Sequence, residues 1–108
     1  MRNGKLKLQE EEKDDIKILK VKGFIHVENS PVFRRKLMEL LDDPHSNILI
    51  NLEKVEKIDT SGLATLVEFM QKAEENKRNV VVCCLNESMT DTMSLRQVED
   101  VLKIHQSE

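Results

Sequence analysis

The chain has 108 residues, room for one domain with one modest core. A net charge of -3, with three Phe and no Trp or Tyr, excludes both the broad basic footprint of a nucleic-acid binder and stacking platforms for single strands. No apolar run approaches the roughly 20 residues of a membrane span, and Met1–Lys5 lacks the apolar stretch of a signal peptide, so no membrane insertion is expected and the expected compartment is the cytoplasm.

Lys5 to Glu12 alternates weakly around Leu6 and Leu8 and predicts an edge strand, followed by a polar turn at Asp14-Asp15. The next run is clearer. Leu19, Val21, Gly23 and Ile25 form one face of a second strand; Ile18, Lys20, Lys22 and Phe24 form the other, which is expected to be mostly solvated. Asn29-Ser30-Pro31 reads as a helix start, with a capping residue ahead of a proline whose missing N–H costs nothing there. Phe33, Leu37, Leu40 and Leu41 follow at helical spacing, and Asp42-Asp43-Pro44 ends the helix. Ile48, Ile50 and Leu52 alternate as a third strand.

The run Lys57-Ile58-Asp59-Thr60-Ser61-Gly62-Leu63 leads into a second helix, whose stripe is read as Leu63, Leu66, Val67, Met70 and Ala73. Val80 to Leu85 is continuously apolar and reads as a central buried strand. Asn86 to about Leu95 reads as a weaker third helix carrying Met89 and Met93. Val101, Leu102 and Ile104 end the chain as a short strand.

Strands alternating with helices imply crossover units and a mixed sheet of about five strands. With so few helices, these are expected mainly on one face. The expected fold is therefore a single α/β domain spanning 1–108, with no linker or internal repeat. Cys83 and Cys84 are adjacent on a predicted strand. Their side chains should point to opposite faces, badly placed for a disulfide or for chelation, and they are read as structural, reduced thiols. His26, His45 and His105 are scattered, and no Cys/His spacing resembles a metal site, so neither a metal nor a cofactor is expected.

The chemistry concentrates at Asp59-Thr60-Ser61-Gly62. A helix start offers unpaired N–H groups and the positive end of the dipole. Hydroxyls there either cap the helix or receive a phosphate. Asp59 can accept helix N–H bonds, orient an acceptor hydroxyl, or contact a partner. Gly62 reads as a place of close approach or of a torsion that a Cβ disfavours. No G-x-x-x-x-G-K-[ST] phosphate loop is present. Nor does any His lie in sequence beside Thr60 or Ser61 to act as a base, so an enzyme is not expected. Phe24 reads either as a shielded surface aromatic or as an interface anchor. The His26-Val27-Glu28 loop is expected at the same end of the sheet as Thr60, the two segments forming one binding surface.

From about residue 5 to 106 the chain resembles the STAS domains, in particular the stand-alone anti-sigma factor antagonists of bacteria. The resemblance is carried by the Gly23-containing strand, the Asn51-Leu52 strand end, the Asp59-Thr60-Ser61-Gly62-Leu63 signature and the Val80–Leu85 strand. The tail from Met93-Ser94-Leu95 through Val101-Leu102-Lys103-Ile104 carries it too. It implies a phosphorylation-controlled partner switch. The unmodified protein would bind an anti-sigma factor serine kinase, and a metal-dependent serine/threonine phosphatase would restore that form. The hydroxyl residue after the Asp is the acceptor, which here is Thr60, with Ser61 as the alternative. Partner contacts fall on Asp59, Thr60, Ser61, Gly62, Leu63, Phe24, His26, Val27 and Glu28. Where family members often carry an acidic residue two positions after the Gly, this chain has Ile25 followed by His26, with the acid at Glu28. A second resemblance, at Asp59-Thr60 and Gly62-Leu63-Ala64, is to STAS regulatory subunits of bacterial lipid-transport ABC systems. In that setting Thr60 would be an unmodified contact.

Overall fold

The computed structural model describes residues 5–43 and 47–84, together with the backbone of Ile104–His105. The strands are β1 (Leu6–Lys13), β2 (Ile16–Ile25), β3 (Asn47–Ile58), β4 (Asn79–Cys83) and β5 (Ile104–His105); the helices are α1 (Ser30–Leu41) and α2 (Thr60–Glu75). They form one five-stranded sheet in the order β1-β2-β3-β4-β5. Among the described residues only the β1–β2 pair is antiparallel. The expected third helix over Asn86–Leu95, with Met89 and Met93, lies outside the described residues, as do Pro44, His45, Leu85 and Val101-Leu102.

The β1–β2 hairpin turns on Asp14 and Asp15, at φ 51° and 68°. Positive φ at both central positions of a two-residue hairpin loop gives a turn that matches the twist of its strands, and Asp tolerates it better than most residues. Further along the same pair, Gly23 has φ +104°, and a Cβ there would stand 2.0 Å from the Lys5 carbonyl oxygen. Only glycine lets the first residues of β1 approach β2 so closely. The amide of Phe24 donates to that same carbonyl at 3.2 Å.

Both helices bury their apolar sides in one cluster against one face of the sheet. That face is built from Leu19, Val21, Ile25, Ile48, Ile50, Leu52, Val55, Ile58, Val80 and Val82. The buried stripe of α2 is Gly62, Leu66, Phe69, Met70 and Ala73. Leu63 and Val67, expected inside it, pack only partly buried at its margin. Helix α2 is thus rotated slightly from the expected face. Phe69, the largest residue it buries, replaces them, and Gly62 opens the stripe.

Strand β3 runs six residues beyond Leu52 because two bulges rescue its pattern. Leu52, Val55 and Ile58 recur every third residue, which a straight strand would throw onto alternating faces. The register with β2 shifts between Lys20 and Lys22, and again between Gly23 and Phe24. At each shift β3 carries one extra residue, so all three side chains return to the core. Asn51, buried at the first irregularity, accepts the Glu53 amide at 2.9 Å. The second face of β2 is less solvated than its lysines suggest. Ile18 is buried, Lys20 and Phe24 are half-buried, and only Lys22 is fully exposed. Register explains Ile18, which lies in a row with Leu49 and Val81 on the neighbouring strands.

The end of the sheet opposite the signature is tied by charge. Lys17, buried within the β2 row, lies 3.2 Å from Glu10, 3.1 Å from Glu12 and 3.4 Å from Asp43. The hydrogen bond to Glu12 leads in raising its pKa well above the ordinary lysine value, against the effect of burial. Arg78 follows α2 in a Schellman turn: its amide donates to Ala73 O, that of Lys77 to Glu74 O, and Lys77 sits at φ 60°. Its guanidinium then donates to Asp43 O at 2.6 Å and Leu41 O at 3.0 Å, capping the carbonyls that α1 leaves open. Arg78→Ala is expected to lower unfolding free energy by about 1–2 kcal/mol, and Arg78→Lys to recover only part of it. Urea denaturation of the three proteins checks this. Equal stability would show that water satisfies those carbonyls equally well.

Candidate functional site

Because β2 and β3 are parallel and neighbouring, the loop after β2 and the helix after β3 emerge at the same end of the sheet. One carboxylate joins them. Asp59 stands at the N-cap of α2 in extended conformation, and its backbone amide donates to Ile25 O at 3.0 Å. Its Oδ1 accepts from the Gly62 amide at 3.0 Å and from the Ser61 hydroxyl at 2.6 Å. Its Oδ2 accepts from the amide of Val27, 32 residues away, at 3.0 Å. Burial pushes the Asp59 carboxyl up, but the Ser61 hydroxyl and the amides of Gly62, Val27 and Ser61 outweigh it, so the net shift is downward. The charged carboxylate is the form these donors hold.

The two hydroxyls of the signature are therefore not equivalent. Ser61 is half-buried, and its hydroxyl proton points into Asp59. Thr60 is exposed at the first turn of α2 and makes no side-chain hydrogen bond within the described residues. Asp59 orients Ser61, not Thr60.

Gly62 is explained by packing rather than torsion. Its φ is not in the left-handed region, yet a Cβ would lie 2.5 Å from Ile25 Cγ2 and 2.9 Å from Ile58 Cγ1. Gly62 lets the first turn of α2 rest on the last residues of β2 and β3. Ile25 is only 1% exposed in that contact. The position where family members often have an acid is here part of the core.

The loop has its own brace. The run Asn29-Ser30-Pro31 starts α1 as expected, with Asn29 at the N-cap position, but Asn29 makes no side-chain cap bond to the helix. Its side chain turns back instead, accepting the His26 amide at 2.9 Å and donating to Phe24 O at 2.8 Å. His26 Nδ1 accepts the Glu28 amide at 3.2 Å. These bonds leave Val27 67% exposed and Glu28 pointing to solvent, and Val32 in the first turn of α1 is 50% exposed. The two are the exposed large hydrophobic residues of the described chain. His26, Val27 and Glu28 thus lie beside Asp59, Thr60 and Ser61. Leu63 is half-buried behind them, and Gly62 is buried. Phe24 lies at the same end, but on the sheet face turned from the helices, opposite Lys57. Sequence reasoning missed Val32, which periodicity marks only as an apolar residue next to a helix start. It also missed Arg34, which joins α1 to α2 through a bidentate pair with Glu68 at 3.1 and 2.9 Å.

No group of three or more His, Cys, Asp or Glu side chains that could hold a metal occurs among the described residues. No described helix is long and apolar enough to cross a membrane.

A mixed sheet with helices on one face, and a capped helix start beside a braced loop, make up a small α/β fold. The STAS domain family model matches residues 7–108, and the chain belongs to that family. A Thermotoga maritima protein, provisionally named an anti-sigma factor antagonist, is 25% identical over 93 residues, covering 85% of this chain and 82% of its own. An anti-sigma factor antagonist from Mycobacterium paratuberculosis superposes with a TM-score of 0.86 at 16% identity, over 96% of this chain and 88% of that one. The Bacillus cell-fate determinant SpoIIAA in its phosphorylated form gives a TM-score of 0.68 at 14% identity, over 93% and 92%. The two structural likenesses concern the fold; the family rests on the sequence match.

Proposed function

We propose that this protein is an anti-sigma factor antagonist that works as a phosphorylation-controlled partner switch in the cytoplasm, without catalysis of its own. Unmodified, it binds an anti-sigma factor serine kinase through the α2 start and the His26–Glu28 loop. The kinase phosphorylates Thr60, and a metal-dependent phosphatase removes the phosphate. The observation that carries this reading is the exposed Thr60 hydroxyl on a helix N-terminus, beside the exposed Val27. The name given to the Thermotoga maritima relative, that of an anti-sigma factor antagonist, supports the same reading.

The chemistry fits a switch that leaves the fold intact. A phosphate on Thr60 would meet the positive end of the α2 dipole, a favourable interaction of about 0.3–1 kcal/mol, partly offset by the neighbouring Asp59. Its main effect would be at the interface, where a dianion must be desolvated against an apolar partner surface or meet like charge. Ser61 is the poorer acceptor, because transfer to its oxygen would break the 2.6 Å bond to Asp59 and set a phosphate against that carboxylate. Phe24, on the other sheet face, is in this reading peripheral to the interface.

Phosphopeptide mass spectrometry on the protein from its native cells, with and without stress, tests the switch. The expected result is phosphate on Thr60 at an occupancy that changes. Thr60→Ala should still bind the kinase, while Thr60→Glu should bind at least tenfold more weakly. Equal binding by both variants would overturn charge exclusion. An unmodified Thr60 under every condition, with a transport ATPase copurifying, would favour the ABC-system alternative.

A further inference from the structure

Cys83 is the last residue of β4 and Cys84 is the first beyond it. Consecutive strand residues project to opposite faces, which would hold two neighbouring sulfurs apart. Cys84 departs from that geometry. Its φ of 71° is in the left-handed region, uncommon for a residue with a side chain. The Sγ atoms are consequently in contact, 2.6 Å apart, and both residues are thiols in this structure. The expectation that the pair is badly placed for a disulfide is thus overturned by one backbone torsion.

We propose that Cys83 and Cys84 are a redox-active vicinal dithiol, which closes into a ring disulfide spanning their shared peptide bond when it meets a peroxide. Cys83 is fully buried and Cys84 half-buried, so the oxidant reaches Cys84 first. The Cys84 thiolate attacks one peroxide oxygen. The O–O bond breaks, and the departing hydroxide takes a proton to leave as water. The resulting sulfenic acid has a thiol already in contact. The Cys83 sulfur attacks the Cys84 sulfur, the S–O bond breaks, and the second oxygen leaves as water with the Cys83 proton. Two thiols and one hydrogen peroxide become one disulfide and two waters, with two electrons passing from sulfur to oxygen. A resolving thiol this close forestalls further oxidation of the sulfenic acid. Disulfides in a reducing compartment are as a rule transient and redox-sensing, and the pair fits that use.

Ring closure should leave the fold standing. Cys84 already holds a turned backbone conformation, and the main-chain pairings of Cys83 with Asn51 and His105 do not involve its sulfur. The reduced full-length protein is treated with a few equivalents of hydrogen peroxide, denatured in iodoacetamide and weighed by intact-mass spectrometry. The expected product is a monomer lighter by two hydrogen atoms that takes up no alkyl group, and dithiothreitol restores two alkylations. Cys83→Ser and Cys84→Ser should each lose the ring product altogether. Wild-type protein that remains doubly alkylated, stops at a sulfinic acid, or links two chains would overturn the proposal.

Discussion

Asp59→Ala is expected to lower the free energy of unfolding by about 2–4 kcal/mol. An N-cap contact contributes about 1 kcal/mol, and a hydrogen bond to a charged group about 1.5–3 kcal/mol. Asp59 provides one of each, to Gly62 and to Val27, and is only partly sheltered from solvent, which keeps the sum below the upper limits. The loss should not be confined to α2. With no carboxylate to accept its amide, Val27 should exchange its hydrogen faster, and binding of the proposed kinase partner should weaken even though Thr60 is untouched. The pH dependence follows from the downward shift of the Asp59 pKa. A carboxyl depressed in the folded state contributes in full above its unfolded value of about 3.9, and less as pH falls through its lower folded value. The stability difference between wild type and Asp59→Ala should therefore be largest near neutrality and shrink below about pH 4. Glu10, lowered by its hydrogen bond to Lys36, and Glu68, lowered by Arg34, lose their contributions in the same acid range. For that reason the difference between the two proteins, rather than wild type alone, is the quantity to measure. A difference unchanged between pH 7 and pH 3 would mean that packing, not the charge of Asp59, holds the loop.

Gly62→Ala should be destabilising although alanine is the better helix former. The propensity gain is about 1 kcal/mol, whereas forcing a methyl into a packed core costs about 1–3 kcal/mol. The added Cβ would meet Ile25 and Ile58, whose side chains are pinned at the ends of β2 and β3. Two contacts at 2.5 and 2.9 Å place the cost in the upper part of that range, about 2–3 kcal/mol, so we expect a net loss of about 1–2 kcal/mol, and about 4–8 °C in Tm for each 1 kcal/mol in a domain near this size. Removing the nearest methyl tests the cause. The Gly62→Ala, Ile25→Ala pair should be less destabilised than the sum of its single variants. A Gly62→Ala protein as stable as wild type would show that the start of α2 can shift freely, and the rigid link between loop and helix would fall with it.

Local chemistry accounts for how much of this molecule could be read from residues alone. The Asp14-Asp15 turn, the α1 stripe of Phe33, Leu37 and Leu40, and the Ile48-Ile50-Leu52 alternation are short-range patterns, and they fold as read. So does the five-strand mixed sheet, since alternation of strands and helices leaves few ways to connect them. The Asp59 cap was legible because residues at a helix start answer to their immediate neighbours. The bulges in β3 were not. The spacing of Leu52, Val55 and Ile58 fits no straight strand, and only pairing with β2 shows where the extra residues go. Likewise, the Asn29-Ser30-Pro31 run marks a helix start, but only the folded loop shows the Asn29 side chain turned back to brace it.

The sequence by itself determined the family, the α/β class of the fold and the signature at Asp59-Thr60-Ser61-Gly62, because these depend on residue type at fixed spacing. Tertiary structure decided everything that depends on contacts between distant segments or on a single torsion. It set Ser61 against Asp59 and left Thr60 exposed, and it fastened Val27 to the same carboxylate across 32 residues. It made Gly62 a matter of two isoleucine side chains and brought the sulfurs of Cys83 and Cys84 together. Periodicity describes one element at a time. Which hydroxyl is held and which is offered follows from how the ends of two parallel strands meet.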